Sequence, residues 1–228
     1  MIGVIGAMHI EVETIKSLME NKTAEKIGGV EFVKGTLHGR EIVIAVCGIG
    51  KVAAAMCTQI MILKYSPDVI INTGVAGSLS DGLSVCDVAV SRDVVQHDMD
   101  TSPLGDPIGL ISGINIVNIP ASEQLCTSVL SAAADCGIKA LPGTIASGDV
   151  FVAEREKKEY IKKNFGAIAC EMEGASIGQV CYVNSVPFVV IRAISDGGDE
   201  DAAMSYDKFV IKASENSVKL LLRLFETI

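Results

Sequence analysis

The sequence contains no tryptophan, and aromatic residues fill only 4% of its 228 positions. The apolar surface it buries must therefore be mostly aliphatic. Long apolar runs are missing too. None approaches the roughly 18 to 20 residues that a membrane-spanning helix needs, and the richest, 187–191 and 69–71, stop within strand length. With 49% hydrophobic residues and a mean hydropathy of +0.42, the excess points to a large core extended by a buried subunit interface. Positive charge is in deficit as well: 19 Lys and Arg stand against 28 Asp and Glu, a net charge of −9. That balance argues against binding nucleic acid through its phosphates. There is no C-x-x-C pair among the seven cysteines (47, 57, 86, 126, 136, 170 and 181), and most lie in apolar runs such as Ile44-Ala45-Val46-Cys47. Free, buried thiols in a reducing compartment are expected. Histidines number three, so His97-Asp98-Met99-Asp100 lacks a second ligand group at metal spacing, and neither a metal nor a cofactor is expected. The amino-terminal Met1-Ile2-Gly3-Val4-Ile5-Gly6 has no basic segment and soon meets Glu11 and Glu13. No secretory leader and a cytoplasmic location are the expectation.

What is present is an alternation. Short β-rich apolar runs at 2–5, 41–46, 69–72, 88–90, 144–146, 168–171 and 188–194 are separated by helix-spaced stretches at 10–19, 52–65, 122–136, 154–165, 174–184 and 206–226. In the first helix Val12, Ile15, Leu18 and Met19 share a face; in the last, Phe209, Ala213 and Val218 do. Such alternation predicts an α/β fold in which a central, mixed and largely parallel sheet is flanked by helices on both faces. No composition break divides the chain, so 1–228 reads as one domain. The stretch 97–119, rich in Pro, Gly, Ser and Asp, reads as one long ordered loop that is functional or lies at an interface.

Ligands of open α/β sheets bind beyond the carboxyl ends of the strands. Three acids stand at such ends: Glu11 after the first strand and its Gly6-Ala7-Met8 turn, Glu173 after the 168–171 strand, and Asp196 after the last. A single acid there is more often a helix cap or a solvated loop charge. Three of them can converge on one crevice if the strands run parallel. Two glycine-rich turns accompany them. Gly48-Ile49-Gly50-Lys51-Val52-Ala53 matches G-x-G-x-x-A and raises a dinucleotide-binding rival, but Asp68, at the spacing expected for a ribose contact, precedes its strand instead of ending it. Asn72-Thr73-Gly74-Val75-Ala76-Gly77-Ser78 is read as a second turn where a ligand approaches the backbone; it has no G-K-[ST] ending.

At these points the sequence closely resembles the methylthioadenosine/S-adenosylhomocysteine nucleosidases of the purine nucleoside phosphorylase superfamily. The resemblance rests on Gly3 to Met8 with Glu11, Gly48 to Ala55, Pro67 to Gly74, Ser147 to Phe151, Glu171 to Ala175, Pro187 to Asp196 and Met204 to Phe209, nearly end to end and in family order. It implies that Asp196 is the general acid that protonates adenine N7, that Glu11 activates the attacking water, and that Met172 and Glu173 hold the ribose. It also implies that Phe151 stacks on adenine, that the backbone of Val152 pairs with its Watson–Crick edge, and that Met8, Ile49 and Tyr206 line the 5′-alkylthio pocket. Val75, Ala76, Gly77 and Ser195 complete the substrate wall. Leu104 and Pro107, in the long loop, would enter a partner subunit's pocket, which implies a homodimer. Arg192, two positions before Ile194, is read as a partner for Glu11 or the water. Two positions depart from the family pattern: His9 stands where an acid is common, and Val75 where some members carry a serine that positions the water. Some relatives with Val there also process aminofutalosine.

The residue types suit the chemistry. Adenine is a poor leaving group until N7 is protonated, and a positioned acid supplies roughly 10²–10⁴-fold. Asp196 must then hold its proton near neutrality, which burial promotes. Two rivals remain: a phosphorylase of the same fold, for which only Lys51 lies on a glycine loop as a cationic candidate, and a non-catalytic nucleoside sensor, which loss of one of the three acids would have supported.

Overall fold

The computed structural model describes residues 1–199 and 201–228. Its strands are β1 (Ile2–Gly6), β2 (Glu20–Ile27), β3 (Val30–Leu37), β4 (Arg40–Val46), β5 (Val69–Ser78), β6 (Val88–Gln96), β7 (Ile119–Pro120), β8 (Ala140–Ser147), β9 (Ala167–Glu171) and β10 (Phe188–Asp196). Its helices are α1 (His9–Leu18), α2 (Lys51–Tyr65), α3 (Glu123–Asp135), α4 (Arg155–Phe165), α5 (Gly174–Val183) and α6 (Ala202–Phe225). All the strands belong to one mixed sheet, with the order β10-β6-β8-β9-β5-β1-β4-β3-β2 and β7 on the edge of β6. An additional β10–β5 pairing closes β5, β10, β6, β8 and β9 into a ring. Around it β5 and β10, β6 and β8, and β8 and β9 run parallel, while β10 with β6 and β5 with β9 are antiparallel.

Helices cover both faces, which is why every residue of β1 and of β10 is buried. On one side Val12, Ile15, Val129, Leu221 and Phe225 pack on Val4, Ile44, Ile71 and Ile191. On the other, Ala54, Cys57, Met61, Ile177 and Cys181 pack on Ile5, Val43, Ile70 and Val190. Successive strand residues such as Val4 and Ile5 serve opposite faces, as the two-residue period of a strand requires. Each fully buried aliphatic side chain contributes about 1.5–3 kcal/mol. No tryptophan is needed. Ser122 caps α3 by accepting the Leu125 amide at 3.3 Å.

Three features differ from the sequence expectation. The hairpin of β2 and β3 is an addition: β2 is almost wholly exposed and lacks the apolar signature of a core strand. It turns at Gly28-Gly29, both at positive φ (58° and 85°), and the next hairpin turns at His38-Gly39 (50° and 74°). Second, the segment from Asn72 to Ser78 is no turn but the greater part of β5. Third, the 97–119 stretch is less irregular than a bare loop, holding a 3₁₀ turn at Ser102–Leu104, an Ile111–Ile116 bridge and β7. Asp68 faces away from the ligand edge, where it pairs with the Met1 amino group at 2.5 Å. All seven cysteines are free; Cys47, Cys57, Cys126, Cys170 and Cys181 are buried, while Cys86 and Cys136 are partly exposed. No helix among the described residues is long and apolar enough to cross a membrane.

Candidate active site

A cavity of about 320 Å³ opens where β1, β5, β9 and β10 end. Glu11, Glu173 and Asp196 all line it, so the three acids read from strand ends converge. All three are buried.

Glu11 occupies the first turn of α1 and folds back over the β1–α1 turn. One carboxylate oxygen accepts the Ala7 and Met8 amides at 2.7 and 2.9 Å; the other accepts the Val75 amide at 3.3 Å. The capping role and the cavity role are thus the same placement. Burial raises its pKa, opposed by the Arg192 charge and by those three amides. Val75, lacking a hydroxyl, contributes its backbone to Glu11 and its side chain to the cavity wall.

Glu173 accepts the Gly50 amide at 2.9 Å. The glycine loop before α2, with Gly48 and Gly50 at φ 88° and 97°, aims a backbone donor at a carboxylate instead of cradling a pyrophosphate. Burial pushes Glu173 up, and the charge of Glu171 pushes it further. Asp196 ends β10 just past a register shift. Its Oδ1 accepts the Gly198 amide at 2.9 Å and its Oδ2 the Ser195 hydroxyl at 2.8 Å. Burial outweighs both bonds and raises its pKa.

Beneath these groups lies a buried network in which sequence reasoning gave Glu171 no part. Glu171 accepts the amides of Glu173 and Gly174 at 3.1 and 2.8 Å, together with the Ser147 hydroxyl and the Arg192 guanidinium. Arg192 also donates to Asn72 Oδ1 at 2.5 Å and stands 3.6 Å from Glu173. The sequence expectation paired Arg192 with Glu11 or the water. Its hydrogen bonds go to Glu171 and Asn72, and toward Glu11 it acts as a nearby charge without a direct bond. It lies behind the cavity wall, not on it. An arginine inside an apolar strand demands a buried acid, and Glu171 supplies it from the end of β9, on the other side of β5 from β10.

The glycines of β5 make room for this cluster. A methyl group on Gly74 would overlap Arg192 Nη1 and sit 2.6 Å from Glu11 Oε1; one on Gly77 would come within 2.7 Å of Asp196 Oδ1. Neither has positive φ, so close approach, not turn geometry, calls for glycine here.

The remaining residues implied by resemblance divide into three groups. Met8, Ile49, Ala76, Phe151, Met172, Ser195 and Tyr206 line the cavity. Phe151 and Tyr206 meet edge to face with centroids 5.8 Å apart, and the Tyr206 hydroxyl lies 3.3 Å from Met8 Sδ. Val152 lines an adjoining recess of about 30 Å³ that shares Gly77, Phe151, Met172 and Asp196 with the main cavity. Leu104 and Pro107 lie on the exposed surface and touch neither space. His9 is exposed, 3.8 Å from Glu13, and outside the cavity.

The mixed sheet and its acid-lined cavity at the strand ends define the nucleoside phosphorylase type of α/β scaffold. The phosphorylase superfamily model matches residues 1–226, and the chain belongs to that family. A 5′-methylthioadenosine/S-adenosylhomocysteine nucleosidase from Shewanella sp. (strain W3-18-1) is 41% identical over 227 residues, covering 99% of this chain and 98% of the relative. Among solved structures, a nucleosidase of that name from Neisseria meningitidis, in complex with methylthio-immucillin-A, superposes with a TM-score of 0.96 at 37% identity, covering 100% and 99% of the two chains. The futalosine hydrolase of Helicobacter pylori strain 26695 superposes at 0.95 with 39% identity, covering 100% and 97%.

Proposed function

We infer that the protein is a 5′-methylthioadenosine/S-adenosylhomocysteine nucleosidase, which hydrolyses the N-glycosidic bond to release adenine and the 5′-thioribose. The observation that carries the hydrolytic reading is a cavity lined by Glu11, Glu173 and Asp196 with no lysine or arginine in its lining. A phosphorylase must hold a phosphate dianion beside the ribose, which calls for cations. Lys51, the one cation on a glycine loop, has its ammonium committed to Asp98 at 2.6 Å and Gln96 at 3.0 Å. Adenine release from 5′-methylthioadenosine is expected to proceed at full rate in phosphate-free buffer, followed by the absorbance change on base release. Absolute dependence on phosphate would overturn the hydrolase reading. The resemblance of the fold to futalosine hydrolase supports aminofutalosine as a further substrate, and 5′-deoxyadenosine is a third; a side-by-side assay ranks them.

In this reading Asp196 gives its proton to adenine N7 as the bond breaks. Oδ1 accepts a fixed backbone amide, from Gly198, while Oδ2 accepts only the rotatable Ser195 hydroxyl, so Oδ2 is the oxygen that carries the proton. Glu11 takes a proton from water, and its raised pKa makes it a stronger base than an exposed glutamate. Glu173 binds the ribose hydroxyls and its negative charge favours the cationic ribosyl. Arg192 holds the acids in register from behind. Phe151, Val152 and Met172 receive base and ribose, and Met8, Ile49 and Tyr206 receive the 5′ group. The whole chain, 1–228, serves as one nucleosidase domain, since the cavity takes residues from Ala7 to Tyr206.

The working form is a homodimer in the cytoplasm. Val52, Met56 and Leu63 form an exposed apolar stripe along α2, at the helical spacing of one face, and Val183 of the neighbouring α5 is also exposed. Leu104 is 84% exposed, as suits a side chain that completes a partner's pocket. Sedimentation should read about twice the 23.9 kDa chain mass, and Val52→Glu should shift it to a single chain. A wild-type protein that sediments as one chain would remove the dimer. Free cysteines throughout fit a reducing compartment.

A further inference from the structure

We propose that Lys158 is a positioning residue for the general acid, anchoring the glycine turn that fixes the Asp196 carboxyl group and setting the charge that faces it. The inference rests on the reading of Asp196 as the acid.

Lys158 sits on α4 at i−3 and i−7 from Ile161 and Phe165, the two buried residues of that helix. Those spacings place all three on one face. An inward-facing lysine must find an acceptor, and the long stem lets it reach one while its methylenes stay against apolar surface. The ammonium donates to the Gly197 carbonyl at 2.7 Å. Gly197 is the residue after Asp196, and the next amide, Gly198, is the one that Asp196 Oδ1 accepts. This turn calls for glycine at both positions: Gly198 has φ 61°, and a side chain at Gly197 would meet the Asp199 carboxylate at 2.7 Å. Two consecutive glycines give the backbone wide freedom. The Lys158 bond from a separate helix limits it, and so fixes where the amide, and therefore the carboxyl group, points.

Its charge matters as well. Among the described residues, the titratable groups facing Asp196 are Asp199 from the following turn, Lys158 from α4, Cys170 from β9 and Tyr206 from α6. Burial pushes the Cys170 thiol well up, so it stays neutral, and Tyr206 is also raised. Burial and Asp199 favour the proton on Asp196, and Lys158 is the cation that opposes them. Lysine thus keeps the acid from becoming too weak to give its proton away.

The test is the pH dependence of kcat/KM for 5′-methylthioadenosine in wild type, Lys158→Met and Lys158→Arg, with Asp196→Asn measured alongside. Lys158→Met is expected to lower kcat about tenfold, the scale of one charge-assisted hydrogen bond, with little change in KM. Its alkaline limb, which reports loss of the acid's proton, should move to higher pH because the opposing cation is gone. Lys158→Arg should restore both. If Lys158→Met does not fold, Lys158→Gln gives the same limb shift. A limb that stays at the wild-type position in the neutral variants overturns the proposal, whatever happens to kcat. An Asp196→Asn enzyme that stays active removes the acid assignment itself, a result distinct from an inert Asp196→Asn enzyme with an unmoved Lys158→Met limb.

Discussion

Asp196→Asn should lower kcat for 5′-methylthioadenosine by about 10²–10⁴-fold, the range a positioned general acid supplies. The substitution is nearly isosteric. An asparagine can still take the Gly198 amide on its carbonyl oxygen, and its NH₂, in the place of Oδ2, can donate to the Ser195 hydroxyl oxygen and to adenine N7. Ground-state binding should therefore survive, with KM changed little. What is lost is a proton that can leave with the base, and each decade of rate corresponds to about 1.4 kcal/mol of barrier. The wild-type pH profile should carry the same signature. Burial raises the Asp196 pKa above the ordinary aspartate value, so the working, protonated form is present below that raised value and kcat/KM falls as pH rises through it. The limb should be absent from the residual activity of the asparagine variant. A variant that keeps more than about a tenth of wild-type kcat would fall outside the range for a general acid and hand the role to another group.

The acids themselves were legible in the sequence because each follows an apolar strand, and strand ends are where α/β sheets bind ligands. Helix positions were legible for the same reason that they are stable: apolar spacing along α1 and α6 marks the faces that pack on the sheet. The glycines of β5 were misread. Gly74 and Gly77 look like turn residues, but only the folded neighbours, Arg192 and Glu11 around one and Asp196 beside the other, show that they lack side chains to admit charge. The Glu171–Arg192 pair was half legible. Sequence placed Arg192 on a buried strand, yet its partner depends on the ring closure that brings β9 and β10 to opposite sides of β5, which no local pattern encodes. β2 was missed for a different reason: its side chains are solvated and carry no apolar period.

Arg192→Met should destabilise the protein by about 3–5 kcal/mol, the cost of removing one partner from a buried ionic cluster. Arg192 is 1% exposed and is the cation set against Glu171, Glu173 and Glu11. Methionine fills much of the volume, so cavity creation is a minor part of the loss. The larger part is electrostatic, which makes it dependent on pH in a definite direction. Glu11 and Glu173 already have pKa values raised by burial, and Arg192 lowers both. Without it each rises further above its unfolded value of about 4.3. A carboxyl group with a raised folded pKa contributes stability that is fully present below its unfolded pKa and lost as pH rises through the folded one. The deficit relative to wild type should therefore be small near pH 5 and grow toward pH 8, as read from urea midpoints at matched m-values. A second substitution separates charge from packing. Glu171→Gln in the Arg192→Met background removes one of the stranded carboxylates while keeping acceptors and donors for Ser147 and Gly174, and it should recover part of the stability at pH 8. It should not recover activity, because Glu11 and Glu173 would still lack the cation that keeps them ionised against burial. A deficit that is the same at pH 5 and pH 8 would mean that Arg192 acts through packing alone.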